Sequence, residues 1–347
     1  MNAFPMLVEN EALRERLSLD IRRRTLSHAY LIEGGYGCGK RTLAEGIAMA
    51  LACERRDDGS ASFPCMECSS CKKIRAGNSP DVIAIRRPED RATMGVDVIR
   101  RLRADVLTPP NELETKTYVL EDAHLMTEDA QNAFLLTLEE PPPYVLFLLL
   151  CNTTEPMLET VRSRAPTLRL SPVSGEAQRE YLLATSREAA ALHREAPEEL
   201  MEILATSQGS IGRALELLDP QKRKPILTMR ANARRFCELC SARRDSAAAV
   251  RFLSSLPQKR DGLTEQLHTV LLCLRDLLLL KQTEDAPLCF FPDREEAWNT
   301  AYAFTTPELL RLCDCVTQAI EALDRSANVT LTLGKLATDT RLLPFNI

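Results

Sequence analysis

Residues 34–42 read Gly34-Gly35-Tyr36-Gly37-Cys38-Gly39-Lys40-Arg41-Thr42. The G-x-x-x-x-G-K spacing from Gly34 to Lys40 is that of a phosphate-binding loop. Gly34, Gly37 and Gly39 let the backbone curl until its N–H groups face phosphate oxygens, and Lys40 can reach the outer phosphates. The next position ordinarily holds the Ser or Thr hydroxyl that ligates Mg²⁺. Here it holds Arg41, and Thr42 stands one residue too late. The loop marks a nucleotide-binding lineage, while retained binding of ATP or ADP stays open.

A second constellation is made of thiols. Cys53, Cys65, Cys68 and Cys71 fall within nineteen residues, three of them separated by two residues. Four thiolates at such spacing suit tetrahedral zinc, with an iron–sulfur cluster or metal-free thiols as alternatives. Gly59-Ser60-Ala61-Ser62 and Ser69-Ser70 offer no apolar pattern to fold this excursion, so a metal is expected to hold it together. Four thiolates leave no open coordination position, which makes the expected site structural. Cys237 and Cys240 share the two-residue spacing but sit in a helical stretch with no second pair nearby, and no metal is expected there.

The third is Tyr118-Val119-Leu120-Glu121-Asp122, an apolar run ending in two carboxylates. Such a pair at a strand end can hold a metal-bound water and polarise an attacking one. The order here is Glu-Asp, the reverse of the usual Walker B arrangement, so Glu121 and Asp122 form a degenerate version. Two solvated acids at a strand end is the competing reading. His124 reads as a structural polar residue.

These residues need elements to hold them. Ala29–Glu33 runs as a strand into the glycines, and residues 41–52 carry Leu43, Ile47, Ala48 and Leu51 at helical spacing. Strand, glycine turn and helix together aim a helix N-terminus at an anion. Further strands are expected at 82–85, 117–121, 145–151 and 167–170, with helices at 96–107 and 128–138. Near-continuous apolar strands alternating with helices predict a parallel α/β sheet covered on both faces. Ser171-Pro172-Val173-Ser174 reads as a boundary. A short helical stretch follows to Asp219, and Pro220–Pro225 reads as a second linker. Beyond it, Leu267, Val270, Leu271, Leu274, Leu277 and Leu278 recur at the spacing of a helical bundle core.

Composition limits the function classes. With 347 residues, 45% hydrophobic and 27% charged, the chain has material for two or three cores. The start, Met1-Asn2-Ala3-Phe4-Pro5, lacks the basic and apolar regions of a secretory signal, and Val145–Cys151 is too short to span a membrane. A cytoplasmic protein without a membrane partner is expected. Twelve cysteines in such a chain do not form a disulfide scaffold. The net charge is −5, with the acidic excess in residues 1–221. Tight independent DNA binding by phosphate neutralisation is therefore not indicated.

Glu121-Asp122-Ala123-His124-Leu125-Met126-Thr127, followed by Gln131 to Leu138 and then Glu139-Glu140-Pro141-Pro142, resembles the Walker B helix of bacterial clamp-loader AAA+ subunits. The four cysteines after the P-loop helix resemble those of the gamma/tau and delta-prime subunits of DNA polymerase III. The resemblance covers about residues 7–220; the C-terminal helices fit by size and class only. It implies a P-loop AAA+ parallel-sheet domain with a zinc module (53–71) over residues 1–172. A helical lid over 173–220 and a C-terminal helical collar for oligomerisation over 221–347 complete the expected architecture.

The resemblance also implies roles. Asn152-Thr153-Thr154-Glu155-Pro156 resembles the sensor-1 segment, with Thr153 or Thr154 as polar probe. Ser163-Arg164-Ala165 resembles the Ser-Arg-Cys motif, whose arginine reaches a neighbouring subunit's ATP as a finger in trans. Gly209 to Ala214 resembles the start of the sensor-2 helix, with Arg213 placed to read a γ-phosphate. Gamma/tau motor subunits keep Thr after the P-loop lysine and Asp-Glu in Walker B, and this chain departs at both places in the direction of delta-prime. That implies a largely non-hydrolysing subunit of the polymerase holoenzyme. Its partners would be gamma/tau and delta subunits, and it would meet the sliding clamp and primer–template DNA through the complex. An active gamma/tau-type ATPase is the first alternative. A zinc-bearing nucleic-acid-binding protein outside any clamp loader is the second.

Overall fold

Five apolar runs become strands: β1 (Ala29–Glu33), β2 (Val82–Ile85), β3 (Lys116–Leu120), β4 (Val145–Cys151) and β5 (Thr167–Arg169). The computed structural model of the chain describes residues 4–56, 63–242, 246–286, 288–325 and 327–341. All strand pairings are parallel, in the order β2-β3-β4-β1-β5. Parallel neighbours need long crossovers, and helices supply them. After α1 (Glu11–Arg23), α2 (Lys40–Ala52) and α3 (Ser69–Arg75) separate β1 from β2. Helices α4 (Val96–Val106), α5 (Glu128–Glu139) and the one-turn α6 (Glu159–Arg162) lie in the next three crossovers.

The strands lack polar alternation because both sheet faces are covered. On one face Tyr30, Ile32, Leu146, Leu148 and Leu150 pack with Leu43 and Ile47 of α2. On the other, Leu31, Tyr118, Phe147 and Leu149 pack with Ile99 of α4 and Phe134 of α5. Phe147 stacks on Tyr118 at 5.6 Å and meets the edge of Phe134 at 5.1 Å. Helix α5 starts where its sequence says it should: Thr127 accepts the N–H of Ala130, and Glu128 and Asp129 favour the positive helix end. The expected parallel α/β fold is what forms, with helices alone after the last strand among the described residues.

The chain divides into two units, one running through Tyr181 and including Gly209–Arg213, the other holding Leu182–Gln208 and the chain from Ala214 onward. The helices here are α7 (Gly175–Thr185), α8 (Arg187–Glu195), α9 (Pro197–Ser207), α10 (Ile211–Leu217), α11 (Pro220–Ala242) and α12 (Ser246–Ser255). Then follow α13 (Arg260–Gln282), α14 (Arg294–Tyr302), α15 (Thr306–Asp324) and α16 (Val329–Arg341). The leucine run forms the bundle core: Leu267, Val270, Leu274 and Leu277 are buried, and Leu271 and Leu278 pack partly buried against them. Cys237 lies in this core with its sulfur 3.5 Å from that of Cys273, and neither Cys237 nor Cys240 joins the four-cysteine cluster.

The structure corrects one reading. Pro220–Pro225, expected as a linker, forms the beginning of α11, with Pro225 inside the helix. Pro220 is tolerated because the first N–H groups of a helix have no intrahelical acceptor, whereas Pro225, in the second turn, forgoes one backbone bond. The punctuation signal therefore marked a helix entry.

Candidate functional site: the phosphate loop and the cysteine cluster

Gly37 and Gly39 adopt φ of +72° and +100°, which only glycine takes without strain, and α2 begins directly at Lys40. A Cβ on Gly37 would lie 2.5 Å from Ser210 Oγ and 2.6 Å from the Arg213 backbone nitrogen. That crowding exists because residues 209–213 dock on the loop. The Gly212 N–H donates to the Gly37 carbonyl at 2.8 Å, and Ser210 Oγ donates to the Tyr36 carbonyl at 2.8 Å. Gly37→Ala combines positive φ with this clash. It is expected to destabilise the first unit by about 1–3 kcal/mol, read from urea denaturation; wild-type stability in this variant would contradict the docking.

Lys40 Nζ donates to the carbonyls of Gly34 (2.7 Å) and Gly35 (2.9 Å) and to Asn152 Oδ1 (2.9 Å). Burial pushes its ammonium below the ordinary value, with Asp122 among the groups pulling it back. Asn152 is thus the residue of its segment that meets Lys40, a role the sequence did not single out. Thr154 instead faces Glu33, whose Oε1 accepts both its N–H and its hydroxyl at 3.0 Å. Burial opposes the Glu33 charge, but Thr154 and Arg169 outweigh it and hold the carboxyl below its ordinary range.

The place of the metal is occupied by arginine chemistry. Arg41 Nε pairs with Glu45 Oε1 at 2.9 Å, and its Nη1 lies 3.2 Å from Glu121 Oε1. Arg86 Nε takes the other oxygen, Glu121 Oε2, at 3.0 Å. Register explains the second contact: Ile85 pairs with Leu120, so the residues that follow, Arg86 and Glu121, emerge side by side. Asp122 is exposed in a left-handed turn (φ +53°), and His124 Nδ1 accepts the Asn152 N–H at 3.4 Å. Thr42 is half-buried in the first turn of α2. Mg²⁺ does not fit these residues. It wants a hydroxyl and a carboxylate, and finds a guanidinium and a doubly paired Glu121.

Arg213, at the start of α10, has a buried Nε with no hydrogen-bond partner. Arg164 follows α6 and pairs with Glu139 Oε1 at 2.7 Å while donating to the Thr160 carbonyl at 3.0 Å. Its partners are residues of its own neighbourhood, and none belongs to the phosphate loop.

The four cysteines do come together. Cys53, Cys65, Cys68 and Cys71 are buried, and their sulfurs all lie within 4.8 Å of one another. Backbone N–H groups of Cys65, Cys68 and Cys71 point at the sulfurs of Cys53 (3.5 Å), Cys65 (3.3 Å) and Cys68 (3.5 Å). Such donors favour thiolates. Burial opposes ionisation of Cys65, but the N–H groups of Cys68 and Glu67 outweigh it and bring the thiol down to about 7. Burial pushes Cys71 strongly the other way. The donor set fits a soft metal ion, which Cys53, Cys65, Cys68 and Cys71 could hold, tying the end of α2 to α3. Gly59-Ser60-Ala61-Ser62 lie outside the described residues. Among the described residues no helix is long and apolar enough to cross a membrane.

Comparison with known proteins bears on the same region. Residues 9–174 match the family model described as DNA polymerase III, delta subunit. The DNA polymerase III subunit tau of Bacillus subtilis is 33% identical over 219 residues, covering 62% of this chain and 37% of that protein. The subunit gamma of Buchnera aphidicola is 29% identical over 218 residues, covering 62% of this chain and 58% of that protein. The chain therefore spans less than two thirds of the length of these relatives. A gamma subunit-related protein of Thermotoga maritima aligns over 94% of this chain and 98% of its own, at 17% identity and a TM-score of 0.43. Through residues 9–174 the chain is thus similar to the DNA polymerase III delta-subunit family, and over 62% of its length to gamma and tau subunits of that polymerase.

Proposed function

We propose that the chain is a delta-prime-type subunit of a cytoplasmic DNA polymerase III clamp loader, carrying out little or no ATP hydrolysis itself. In this reading Arg164 is presented as a finger to the ATP of an adjacent gamma/tau-type subunit. The complex, with a delta subunit, loads the sliding clamp onto primer–template DNA. Residues 1–172 would be the AAA+ body, 173–220 the lid and 221–347 the collar, with zinc as the metal of the four cysteines. The observation that carries the reading is the Arg41–Glu121 ion pair at 3.2 Å. Phosphoryl transfer relies on a metal bridging the phosphates, and this pair sets a guanidinium where the metal's hydroxyl ligand would stand and engages the Glu121 carboxylate.

The gamma/tau relatives favour an active ATPase as the second reading, because their similarity covers 62% of this chain. The two readings separate on the purified chain. With Mg²⁺ and ATP it is expected to show no turnover above background. Robust turnover that disappears in Lys40→Ala would overturn the non-hydrolysing reading.

A further inference from the structure

Four carbonyls of the phosphate loop are already taken; of its N–H groups, those of Gly34 and Cys38 are bonded to Cys151 and Gly35. Its carbonyls at Gly34, Gly35, Tyr36 and Gly37 accept from Lys40, Lys40, Ser210 and Gly212 respectively. Among the described residues, no hydrogen bond uses the N–H of Gly37 or Gly39. Such a loop is shaped for an anion. What it lacks is the cation that ordinarily accompanies a polyphosphate.

We propose that this loop binds nucleoside diphosphates and triphosphates without a divalent metal, the Arg41 guanidinium serving as the built-in countercation. The proposal takes up the nucleotide binding that the sequence left open at residues 34–42 and adds how its charge is balanced. An arriving Mg²⁺ would meet a guanidinium at the position of its hydroxyl ligand. To gain Glu121 it would have to displace both Arg41 and Arg86. Polyphosphate oxygens face the opposite situation. The Arg41 side chain is 55% exposed, so its pairs with Glu45 and Glu121 are worth little individually and its planar fork is free to turn toward an anion. Arg86 then keeps Glu121 neutralised, so the acid does not repel the phosphates. Guanidinium and phosphate match in two parallel N–H···O bonds, whereas a hard cation gains nothing from a guanidinium.

The test is calorimetric titration of the full chain with ADP, in EDTA and in excess Mg²⁺. Wild-type affinity is expected to be the same, or weaker with Mg²⁺, because the metal complex of ADP competes with the free nucleotide. Lys40→Ala is expected to abolish binding, placing it in this loop. Arg41→Thr restores a hydroxyl and frees one oxygen of Glu121. It is expected to bind more weakly in EDTA and to gain about tenfold from Mg²⁺, roughly 1.4 kcal/mol. Wild-type binding that tightens tenfold or more with Mg²⁺ would overturn the proposal, and so would no binding in either condition. Unchanged affinity of Arg41→Thr in EDTA would remove Arg41 from the site. None of these results touches the finger reading, which is measured at Arg164 in the assembled complex.

Discussion

Replacing Arg164 with alanine is expected to lower ATP turnover of a reconstituted clamp loader by about 10³-fold or more, the order associated with arginine fingers. Assembly, followed by gel filtration, should be unchanged. Among the described residues the side chain is tied to Glu139 and to its own turn, at Thr160 and Ser163. Arg164 and Glu139 are 36% and 45% exposed, so their pair is screened and cheap to exchange for a phosphate. Structural loss should therefore be small while the loss in the neighbour's transition state is large. Arg164→Lys sharpens the test, because it keeps the charge but not the planar fork. It should recover only part of the rate. Equal turnover in wild type and Arg164→Ala would refute the finger assignment.

With zinc proposed at the four cysteines, its removal is expected to be the largest perturbation of stability. Elemental analysis should find zinc at close to one ion per chain, and its absence would undermine the assignment. In isolated modules such metal binding supplies about 10 kcal/mol or more of folding free energy. Here the loss should be part of that, because Phe63, Cys71 and Ile74 also belong to the core that packs on α2. A fall of several kcal/mol corresponds to about 10 °C or more in the unfolding midpoint. Chelation or Cys71→Ser should both produce it, and Cys71→Ser should no longer respond to chelator. The effect should shrink as pH falls, because protons compete with the metal for the thiolates and the bound metal then adds less stability. Identical melting of wild type with and without chelator would contradict a structural metal.

The placement of Lys40 shows where reading by neighbours ends. Its loop, strand and helix follow from residues adjacent in the chain, since glycine spacing and a helical repeat are local patterns. Its partner Asn152 lies 112 positions away, at the end of β4, and meets it because β4 pairs with β1 in a register that sets Glu33 beside Cys151. The resemblance points to Thr153 or Thr154 as the polar probe, yet Glu33 takes up both the N–H and the hydroxyl of Thr154. Pro220–Pro225 shows the complementary difficulty. Proline signals are equally compatible with a linker and with the first turns of a helix, and here the segment is helical.

By itself, the sequence determined the parallel sheet, the phosphate loop, the four-cysteine module and the displacement of the metal-ligating hydroxyl by Arg41. Each of these is written in spacings of a few residues. Only the tertiary structure decided what Arg41 does in that position. Strand order and the Ile85–Leu120 register bring Glu121 between Arg41 and Arg86, from segments 80 and 35 positions away. A charge at a given place in the chain does not reveal its partner, because the partner is chosen by which strand ends lie side by side. The defect in the loop was legible from neighbouring residues; its conversion into an ion pair at the metal's place required the fold.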